Sequence, residues 1–560
     1  MPDPLWFKQS VFYEVSVRSF QDSNGDGIGD IPGLTSRLDY LQWLGVDCIW
    51  ILPIFDSPLR DGGYDVGDFY SVHPDYGTVE DVRNLLEEAH RRGLRVISDL
   101  IFNHTSIDHP WFQEARLPGS RRRDWYVWSD TDQRYSGARV IFLDSEASNW
   151  TWDPFAGAYY WHRFYHHQPD LNFDNPEVRE EMLDVVRFWL DLGFDGFRVD
   201  TTPYLYEREG TNCENLPETH EFLKRVRRLV DEEYGGDRLL LSEANQWPRD
   251  VVGYFGDGDE FHMNFHFPVM PRLFMALARR DVADVVGIIE DTPEIPDSCQ
   301  WAIFLRNHDE LTLEMVTEAD RHFMWDFYAP EPRMRLNLGI RRRLAPLLDD
   351  DRRRLEVLHG LLLSLPGSPV LYYGDEIAMG DDILLPDRDG LRTPMQWTPG
   401  ANGGFTTADA ATLAIPPVAD PEYSSAARNV AMAQQDPGSF LNWLRQMLAT
   451  RRNHPEMGSG SFTFIETGEH AVLGFLRELD GLATLVLANV DETARRVHIP
   501  AEALGHRRPI DAATGERLGR LGDDPIVLDL GPLEFSWLRL EHRGDPGAER
   551  PGDTSASPPP

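Results

Sequence analysis

The amino-acid sequence predicts an α/β protein: a (β/α)8 TIM barrel with an inserted domain after strand 3 and a C-terminal antiparallel β domain. Short, continuously apolar runs recur along the chain, helical patterns lie between many of them, and several runs end in polar side chains. Continuously apolar strands are typical of a parallel sheet that is buried on both faces. Eight such strands with interleaved helices favour a closed barrel.

The predicted strands are, in chain order, "VFYEVSV", "CIWILPIF", "RVISDLIFNH", "GFRVD", "LLLSEAN", "HMNFHF", "WAIFLRNHDE" and "PVLYYGDE". The stretch after Thr78 illustrates the intervening helices. Val82, Leu85 and Ala89 recur there at helical spacing, and Gly93 is placed to end the helix.

The spacing of the strands is uneven, which predicts two insertions into the barrel. The first is crowded with Trp, Tyr, Phe and His, and short runs separated by turns near the end of the chain predict the β domain. The predicted boundaries are 1–104 for the first part of the catalytic barrel, 105–178 for the inserted domain B, 179–456 for the second part of the barrel with a lid-like insertion near 311–354, 457–543 for the C-terminal β domain, and 544–560 for a disordered tail.

Composition excludes several classes of function. The 560 residues carry a formal net charge of −39, which disfavours nucleic acid as a partner. No apolar run approaches the roughly 20 residues of a membrane span, and the N-terminal stretch lacks the pattern of a signal peptide. Three widely separated cysteines predict no disulfide framework. We therefore expect a cytoplasmic enzyme or binding protein that acts on small molecules.

Polar side chains cluster at the ends of four predicted strands. Because the C-terminal ends of barrel strands meet on one rim, we expect these groups to lie close together. A single carboxylate could be a helix cap or a surface charge, but four such strand ends together favour an active site. The strand-end residues are Asp99, Asn103, His104, Arg198, Asp200, Glu243, His308 and Asp309.

These strand ends resemble a known family. "DLIFNH", "GFRVD", "SEAN" and "RNHDE" are similar to the four signature regions of the α-amylase superfamily, glycoside hydrolase family 13. "QPDLN" resembles its fifth region, and "GGYDVGDF" resembles the segment that shapes its sugar subsite. The likeness extends over residues 10 to about 540.

The resemblance implies three catalytic roles. Asp200 would be the nucleophile, Glu243 the general acid/base, and Asp309 the group that holds the distorted sugar. Retaining enzymes of this kind place the first two carboxyl groups about 5–5.5 Å apart. Arg198 shares a strand face with Asp200 and should keep it ionised, whereas Glu243 must hold a proton near neutral pH. We therefore expect opposite electrostatic environments for Asp200 and Glu243.

The same resemblance implies a sugar-binding set. His104 and His308 would donate hydrogen bonds to sugar hydroxyls. Tyr64 would stack on a glucose ring, and Asp65 would bind its outer hydroxyls. Arg392 resembles an arginine that pairs with this aspartate to close the far end of the pocket, although it could equally serve a structural ion pair.

The stretch "DSNGDGIGD" has the spacing of a calcium loop. An EF-hand would require a glutamate where Gly33 stands and a helix before the loop, so the stretch resembles the structural calcium loop of oligo-1,6-glucosidase-like members. The alternative is a polar turn without a metal ion. The predicted ligands are Asp22, Asn24, Asp26, the carbonyl of Ile28, and Asp30.

The resemblance also implies a second cation site at the base of the inserted domain. Both sites would be structural, with calcium as the expected ion and magnesium as the alternative, and no organic cofactor is expected. The ligands of the second site would be Asn103, Asp170, Tyr204, Leu205 and Glu207.

Finer resemblance, in stretches such as "SEANQWPRDVVGYFG" and "DRDGLRTPMQW", implies a reaction. They look like members that interconvert maltose and trehalose by intramolecular transglucosidation, an isomerase activity with minor hydrolysis to glucose. The alternatives are an α-glucosidase or oligo-1,6-glucosidase, and a catalytically silent binding protein. The two insertions would act as lids, with Glu314 as a candidate gate residue. A homo-oligomer and a separate maltokinase partner are left open.

Overall fold

A computed structural model describes residues 3–512, 514–518 and 524–541. Its centre is a closed barrel of eight parallel strands, in which each strand pairs with its sequence neighbour and the last pairs with the first. The predicted barrel is confirmed. Its strands are β1 (Phe12–Val15), β2 (Cys48–Ile51), β3 (Arg95–Ile101), β4 (Gly196–Asp200), β5 (Leu239–Ser242), β6 (Met263–Phe265), β7 (Gln300–Phe304) and β8 (Ser368–Tyr372).

Strand register aligns the polar strand ends with one another. On the neighbouring strands β3 and β4, Asp99 is the Cα partner of Arg198. Every residue of β4 is buried. This strand begins at Gly196, where φ is +148° and an added Cβ would lie 2.1 Å from the carbonyl oxygen of Leu239. Glycine therefore allows β4 and β5 to approach closely at this point.

Helices follow or connect the strands. The helix Val79–Arg91 begins with a capping box formed by Thr78 and Asp81, and it buries Val82 and Leu85 as predicted. The α-helices are Val17–Phe20, Ile31–Ser36, Leu38–Leu44, Val79–Arg91, Pro110–Ala115, Pro176–Leu192, Pro217–Tyr234, Pro248–Val251, Val269–Arg279, Ala283–Glu290, Glu318–Tyr328, Leu344–Leu347, Arg352–Leu362, Val430–Gln435, Phe440–Arg452 and Glu456–Ser459. None of the described helices is long and apolar enough to cross a membrane.

Three excursions from the barrel bear on the site. After β2, a short antiparallel pair, Phe55–Asp56 with Asp68–Val72, encloses a loop. After β3, the inserted domain contains a three-stranded antiparallel sheet, and after β7 the second insertion contains another. The strands of these two sheets are Trp128–Ser129, Trp150–Asp153 and Ala158–Trp161 in the first, and Leu311–Thr312, Arg335–Leu336 and Gly339–Ile340 in the second.

The C-terminal part is an antiparallel β domain, as predicted. A five-stranded sheet and a two-stranded sheet enclose a core of leucine, isoleucine and valine side chains. Its strands are Ser461–Phe464, Val472–Leu479, Leu482–Asn489, Arg508–Asp511 and Phe535–Glu541 in the larger sheet, and Arg495–Ile499 and Ile526–Leu530 in the smaller one. The predicted tail, 544–560, lies outside the described residues.

The chain divides into two compact units. One comprises the residues up to Pro271 together with Ile288–Asp350 and Gly367–Arg445. The other comprises Arg272–Gly287, Asp351–Pro366 and the described residues from Gln446 onward. All of the predicted site residues belong to the first unit.

Candidate active site

One buried arginine joins the predicted nucleophile and the predicted acid/base. Arg198 is 1% exposed. Its Nη1 lies 2.5 Å from Oδ1 of Asp99 and 2.7 Å from Oδ1 of Asp200, and its Nη2 lies 2.6 Å from Oε1 of Glu243. Asp200 and Glu243 therefore face each other across a single guanidinium group, and both line the same cavity.

The proton affinity of Glu243 agrees with our expectation, and that of Asp200 does not. Burial raises the pKa of Asp200 to about 6, even though Arg198 opposes the shift. Burial raises the pKa of Glu243 to about 7, and the nearby charge of Asp200 adds to this. The predicted rise in the pKa of Glu243 is confirmed, but the expectation that Arg198 gives Asp200 the opposite environment is wrong, because desolvation acts on both groups and Arg198 contacts both.

Asp309, five residues after the end of β7, is held in its ionised form. Oδ2 of Asp309 lies 3.1 Å from Nε2 of His308, whose Nδ1 lies 2.5 Å from Oε1 of Glu14. Burial opposes a charge on this imidazole, but Asp309 and Glu14 together raise the pKa of His308 to about 9. Burial likewise opposes a charge on Asp309, but His308 and Arg388 hold its pKa well below the usual range.

Two of the predicted sugar-binding residues line the cavity, namely Tyr64 and His104. The ring of Tyr64 stacks on that of His308 with centroids 5.4 Å apart, and its hydroxyl lies 2.9 Å from Nε2 of His308. Burial lowers the pKa of His104 to about 3, and Nε2 of this imidazole lies 3.2 Å from the carbonyl oxygen of Tyr64. Their contacts with a sugar remain predictions.

Sequence reasoning missed two charged residues that line the cavity, Asp61 and Arg388. Nε of Arg388 lies 2.9 Å from Oδ1 of Asp309 and 2.8 Å from Oε2 of Glu310. Nη1 of Arg388 lies 3.8 Å from Oδ1 of Asp61, and Oδ2 of Asp61 accepts a hydrogen bond from Nε2 of Gln168 at 2.9 Å. Both missed residues stand beside recognised motifs, Asp61 three positions before Tyr64 and Arg388 within "DRDGLR".

The predicted pairing of Asp65 with Arg392 is wrong. Arg392 donates from Nη2 to Oδ1 of Asp309 at 3.1 Å and from Nε to the carbonyl oxygen of His308 at 3.1 Å. The carboxylate of Asp65 turns back into its own loop, where it accepts hydrogen bonds from the hydroxyl of Ser57 and from two main-chain N–H groups. One of these N–H groups belongs to Asp61, so Asp65 holds the loop that presents Asp61 to the cavity.

The cavity is open to solvent at its mouth. Its empty volume, which includes this open solvent, is about 890 Å³. The residues that line it are Asp61, Tyr64, His104, Ile141, Phe142, Phe164, Gln168, Asp200, Thr201, Tyr204, Glu243, Asn245, Phe267, Asn307, Asp309, Glu310, Thr312, Glu314 and Arg388.

The two insertions touch each other at the cavity. Arg139 of the inserted domain lies 3.0 Å from Oε2 of Glu314 in the second insertion. The main-chain N–H of Asn337 donates to Oδ2 of Asp144 at 2.7 Å. Glu314, the candidate gate residue, thus lies at a contact between the two segments that we expect to act as lids.

The loop predicted as the first cation site satisfies its own carboxylates. Asp22 accepts hydrogen bonds from three main-chain N–H groups of the loop, and Asn24 and Asp26 each accept one. Asp30 caps the helix Ile31–Ser36 through the N–H of Gly33. Within the described residues, no three His, Cys, Asp or Glu side chains converge as a metal-binding group. These contacts hold the loop as a polar turn, but a carboxylate has about four acceptor sites, so a cation at this loop stays a prediction.

The residues of the second predicted site have unsatisfied oxygens. Oδ1 of Asn103, Oδ2 of Asp170 and Oε1 of Glu207 are buried and have no hydrogen-bond partner. Burial raises the pKa of Asp170 to about 8 and, with the charge of Asp170, raises the pKa of Glu207 well above its usual range. Oxygen atoms of this kind are the ligands that calcium prefers, so this donor set fits a cation.

Comparisons with known proteins agree with this geometry. The family model of the alpha amylase catalytic domain matches residues 14–326 and 341–460. That of the maltogenic amylase C-terminal domain matches residues 462–537. The chain belongs to the α-amylase family.

Relatives within the α-amylase family are similar over nearly the whole chain. The trehalose synthase/amylase TreS of Mycobacterium tuberculosis (strain ATCC 25618 / H37Rv) is 56% identical over 546 residues, covering 96% of this chain and 91% of that protein. The trehalose synthase of Pimelobacter sp. (strain R48) is 55% identical, covering 96% of each. A solved structure of an inactive MutB double mutant with isomaltulose has 29% identity and a TM-score of 0.78, and covers 96% of this chain and 100% of that one.

Proposed function

We propose that this α-amylase family member is an isomerase that interconverts maltose and trehalose by intramolecular transglucosidation, with minor hydrolysis to glucose. The observation that carries the proposal is the identity of 55–56% with proteins named as trehalose synthases, over 96% of this chain. The cavity supports it, because three carboxyl groups of the kind required converge there.

In the first step, Glu243 protonates the glycosidic oxygen of maltose and a carboxylate oxygen of Asp200 attacks the anomeric carbon. The glycosidic C–O bond breaks, a glucosyl ester forms on Asp200, and free glucose is released within the cavity. A pKa of about 7 lets Glu243 hold the required proton near neutral pH. The ionised Asp309 would stabilise the positive charge that develops on the sugar ring.

In the second step, the retained glucose turns and its anomeric hydroxyl attacks the anomeric carbon of the glucosyl ester, whose bond to the Asp200 oxygen breaks. Glu243, now a carboxylate, accepts the proton of that hydroxyl, and Asp200 leaves as a carboxylate. The product is the α,α-1,1 linked disaccharide. When water attacks instead, the product is a second glucose. Retaining the acceptor gives it a high effective concentration, and the contact between the two insertions would limit the entry of water.

A structural cation is part of the proposal. Asn103, Asp170 and Glu207, with the main-chain carbonyls of Tyr204 and Leu205, would hold calcium, or magnesium in its place. The ion would supply positive charge to the two buried acids and order the turn that follows Asp200. It takes no part in the bond changes. A cytoplasmic location, a homo-oligomer and a separate maltokinase partner remain predictions.

Incubation of the pure protein with maltose tests the function. We expect trehalose to be the dominant early product, with glucose as a minor one. Added isotope-labelled glucose should enter trehalose only slowly, because the acceptor is the glucose already held. Glucose as the sole product would instead indicate an α-glucosidase.

The variant Asp200→Ala tests the mechanism in the same assay. We expect isomerisation and hydrolysis to fall together by at least about 10³-fold, because both require the glucosyl ester. Circular dichroism of the variant serves as the folding control. A folded variant that still converts maltose would show that Asp200 is not the nucleophile.

A further inference from the structure

A strained residue lies beside both catalytic carboxyl groups. Thr201 follows Asp200 directly, with φ 51° and ψ 37°, in the left-handed region. A β-branched residue rarely adopts this conformation, because its side chain crowds the backbone. Such strain persists only where the surrounding structure enforces it, and it is concentrated at functional sites. The conformation of Thr201 therefore calls for a functional explanation.

The turn brings the main chain of Thr201 to the acid/base. Its N–H donates to Oε2 of Glu243 at 3.3 Å, while Oε1 of Glu243 lies 2.6 Å from Nη2 of Arg198. The next N–H, that of Thr202, donates to the carbonyl oxygen of Glu243 at 3.2 Å. The turn thus fixes both the side chain and the main chain of Glu243, and it places Thr201 on the side of the cavity where the leaving glucose is protonated.

The hydroxyl group of Thr201 has no partner. The residue is 8% exposed and lines the cavity, yet its Oγ1 is buried without a hydrogen bond. The adjacent Thr202 differs, because its hydroxyl donates to the carbonyl oxygen of Val199 and accepts from Ser242. A buried, unpaired hydroxyl group is unfavourable unless another group forms a hydrogen bond with it. Because Thr201 lines the cavity, rotation about χ1 to the staggered rotamer in which the hydroxyl replaces the methyl group would bring Oγ1 toward it.

We propose that Thr201 is a specificity-determining residue that holds the glucose released from maltose. This inference rests on the proposed function. The Thr201 hydroxyl hydrogen-bonds a hydroxyl of that glucose, both when it leaves and when it returns as the acceptor. A hydroxyl suits this task because it can donate or accept as the glucose turns. Thr201 thereby favours transfer to glucose over transfer to water.

The test measures the ratio of trehalose to glucose formed from maltose at early times. Thr201→Val removes the hydroxyl at nearly constant shape, and Thr201→Ala removes it with less crowding. We expect both to lower the ratio about three- to tenfold, the value of one hydrogen bond. Maltose consumption should fall less than the ratio does. Thr201→Ser keeps the hydroxyl and should stay within about twofold of the wild type.

The matched control is Thr202→Val, which removes a neighbouring hydroxyl that is already paired within the protein. It should lower the melting temperature and leave the product ratio unchanged. Unchanged ratios in folded Thr201→Val and Thr201→Ala would overturn the inference. So would a Thr201→Ser variant that loses as much as Thr201→Val. A wild-type protein that makes no trehalose would instead overturn the proposed function, so the two failures are distinguishable.

Discussion

Two buried arginines organise the two sides of the cavity. Arg198, on β4, has three carboxylate oxygens at 2.5, 2.7 and 2.6 Å. Arg388, on a loop after β8, has carboxylate oxygens of Asp309 and Glu310 at 2.9 and 2.8 Å and one of Asp61 at 3.8 Å. Each arginine is surrounded by more negative charge than it can neutralise alone.

The two clusters differ in the pKa of the predicted catalytic carboxyl groups that they contain. Around Arg198, Asp200 and Glu243 have pKa values of about 6 and about 7, so the pair can exchange a proton near neutral pH. Near Arg388, Asp309 stays ionised because His308 supplies a second positive charge. Similar ion pairs thus serve different ends. The first cluster is suited to making and breaking bonds, and the second to binding and shaping a sugar.

Of changes to the two arginines, the larger effect is expected from weakening the Arg198 cluster. In Arg198→Lys, a compact ammonium group replaces a fork that contacts three carboxylates. We expect kcat/KM for maltose to fall about 10²- to 10³-fold, mainly through kcat, because Asp200 and Glu243 lose their common partner. Steady-state kinetics with a thermal-unfolding control would check this. A kcat within tenfold of the wild type would contradict the role given to this cluster.

Replacing Arg388 by lysine in the second cluster should lower activity less than Arg198→Lys does, and it should act mainly on substrate binding. We expect Arg388→Lys to lower kcat/KM about ten- to 10²-fold, chiefly by raising KM, because Asp61 and Asp309 lose their shared partner. Arg342→Lys is a matched control, since Arg342 pairs with Asp381 away from the cavity lining. If Arg388→Lys lowered kcat alone, the division between chemistry and binding would fail.

The pKa values predict a narrow, bell-shaped pH profile. Activity requires an ionised Asp200 and a protonated Glu243, so kcat/KM should fall below about pH 6 and above about pH 7, by about tenfold per pH unit on each side. The two limbs belong to the pair, since its members are coupled. With α-glucosyl fluoride, whose leaving group needs no proton, the alkaline limb of the first step should disappear. An alkaline limb that persists with this substrate would show that a group other than Glu243 causes it.

The difference between the clusters also explains what could be predicted from the sequence. Arg198, Asp200, Glu243 and Asp309 stand at the ends of strands, so a barrel topology alone brings them to one rim. Asp61 and Arg388 stand on loops far apart in the chain, where no periodicity indicates which side chain turns inward. For this reason we expected Arg392 to pair with Asp65, whereas in the structure Arg388 pairs with Asp309 and Asp61.

The pKa of Asp200 could not be predicted from the sequence either. A pattern of residues shows that Arg198 lies beside Asp200 on one strand face, and this alone predicts a lowered pKa. It does not show how deeply the two carboxyl groups are buried. In the folded protein desolvation outweighs Arg198 for both Asp200 and Glu243. The pKa shifts that burial causes in the folded protein therefore cannot be predicted from sequence motifs alone.

Asp170 and Glu207 form a third group of buried acids. It differs from the first two because no arginine in the described residues forms an ion pair with either acid through its side chain. Arg163 donates its main-chain N–H to Asp170, but its guanidinium group pairs with Glu214. Asp170 and Glu207 keep unpaired oxygens. If buried carboxylates at this rim require positive charge, a cation should supply it here. The loop at Asp22 differs, because three of its own N–H groups already donate to the carboxylate of Asp22.

We therefore expect a chelator to lower the melting temperature by about 3 °C or more, and added calcium to restore it. Glu207→Gln should abolish this dependence, since it removes one of the two acids of the site. Asp22→Asn is the matched control and should keep the dependence, even if the loop itself is weakened. The opposite result, in which only the Asp22 variant becomes insensitive to the chelator, would place the cation in the loop. It would also show that unpaired buried oxygens are a poorer guide to a cation here than the spacing of acids in the sequence.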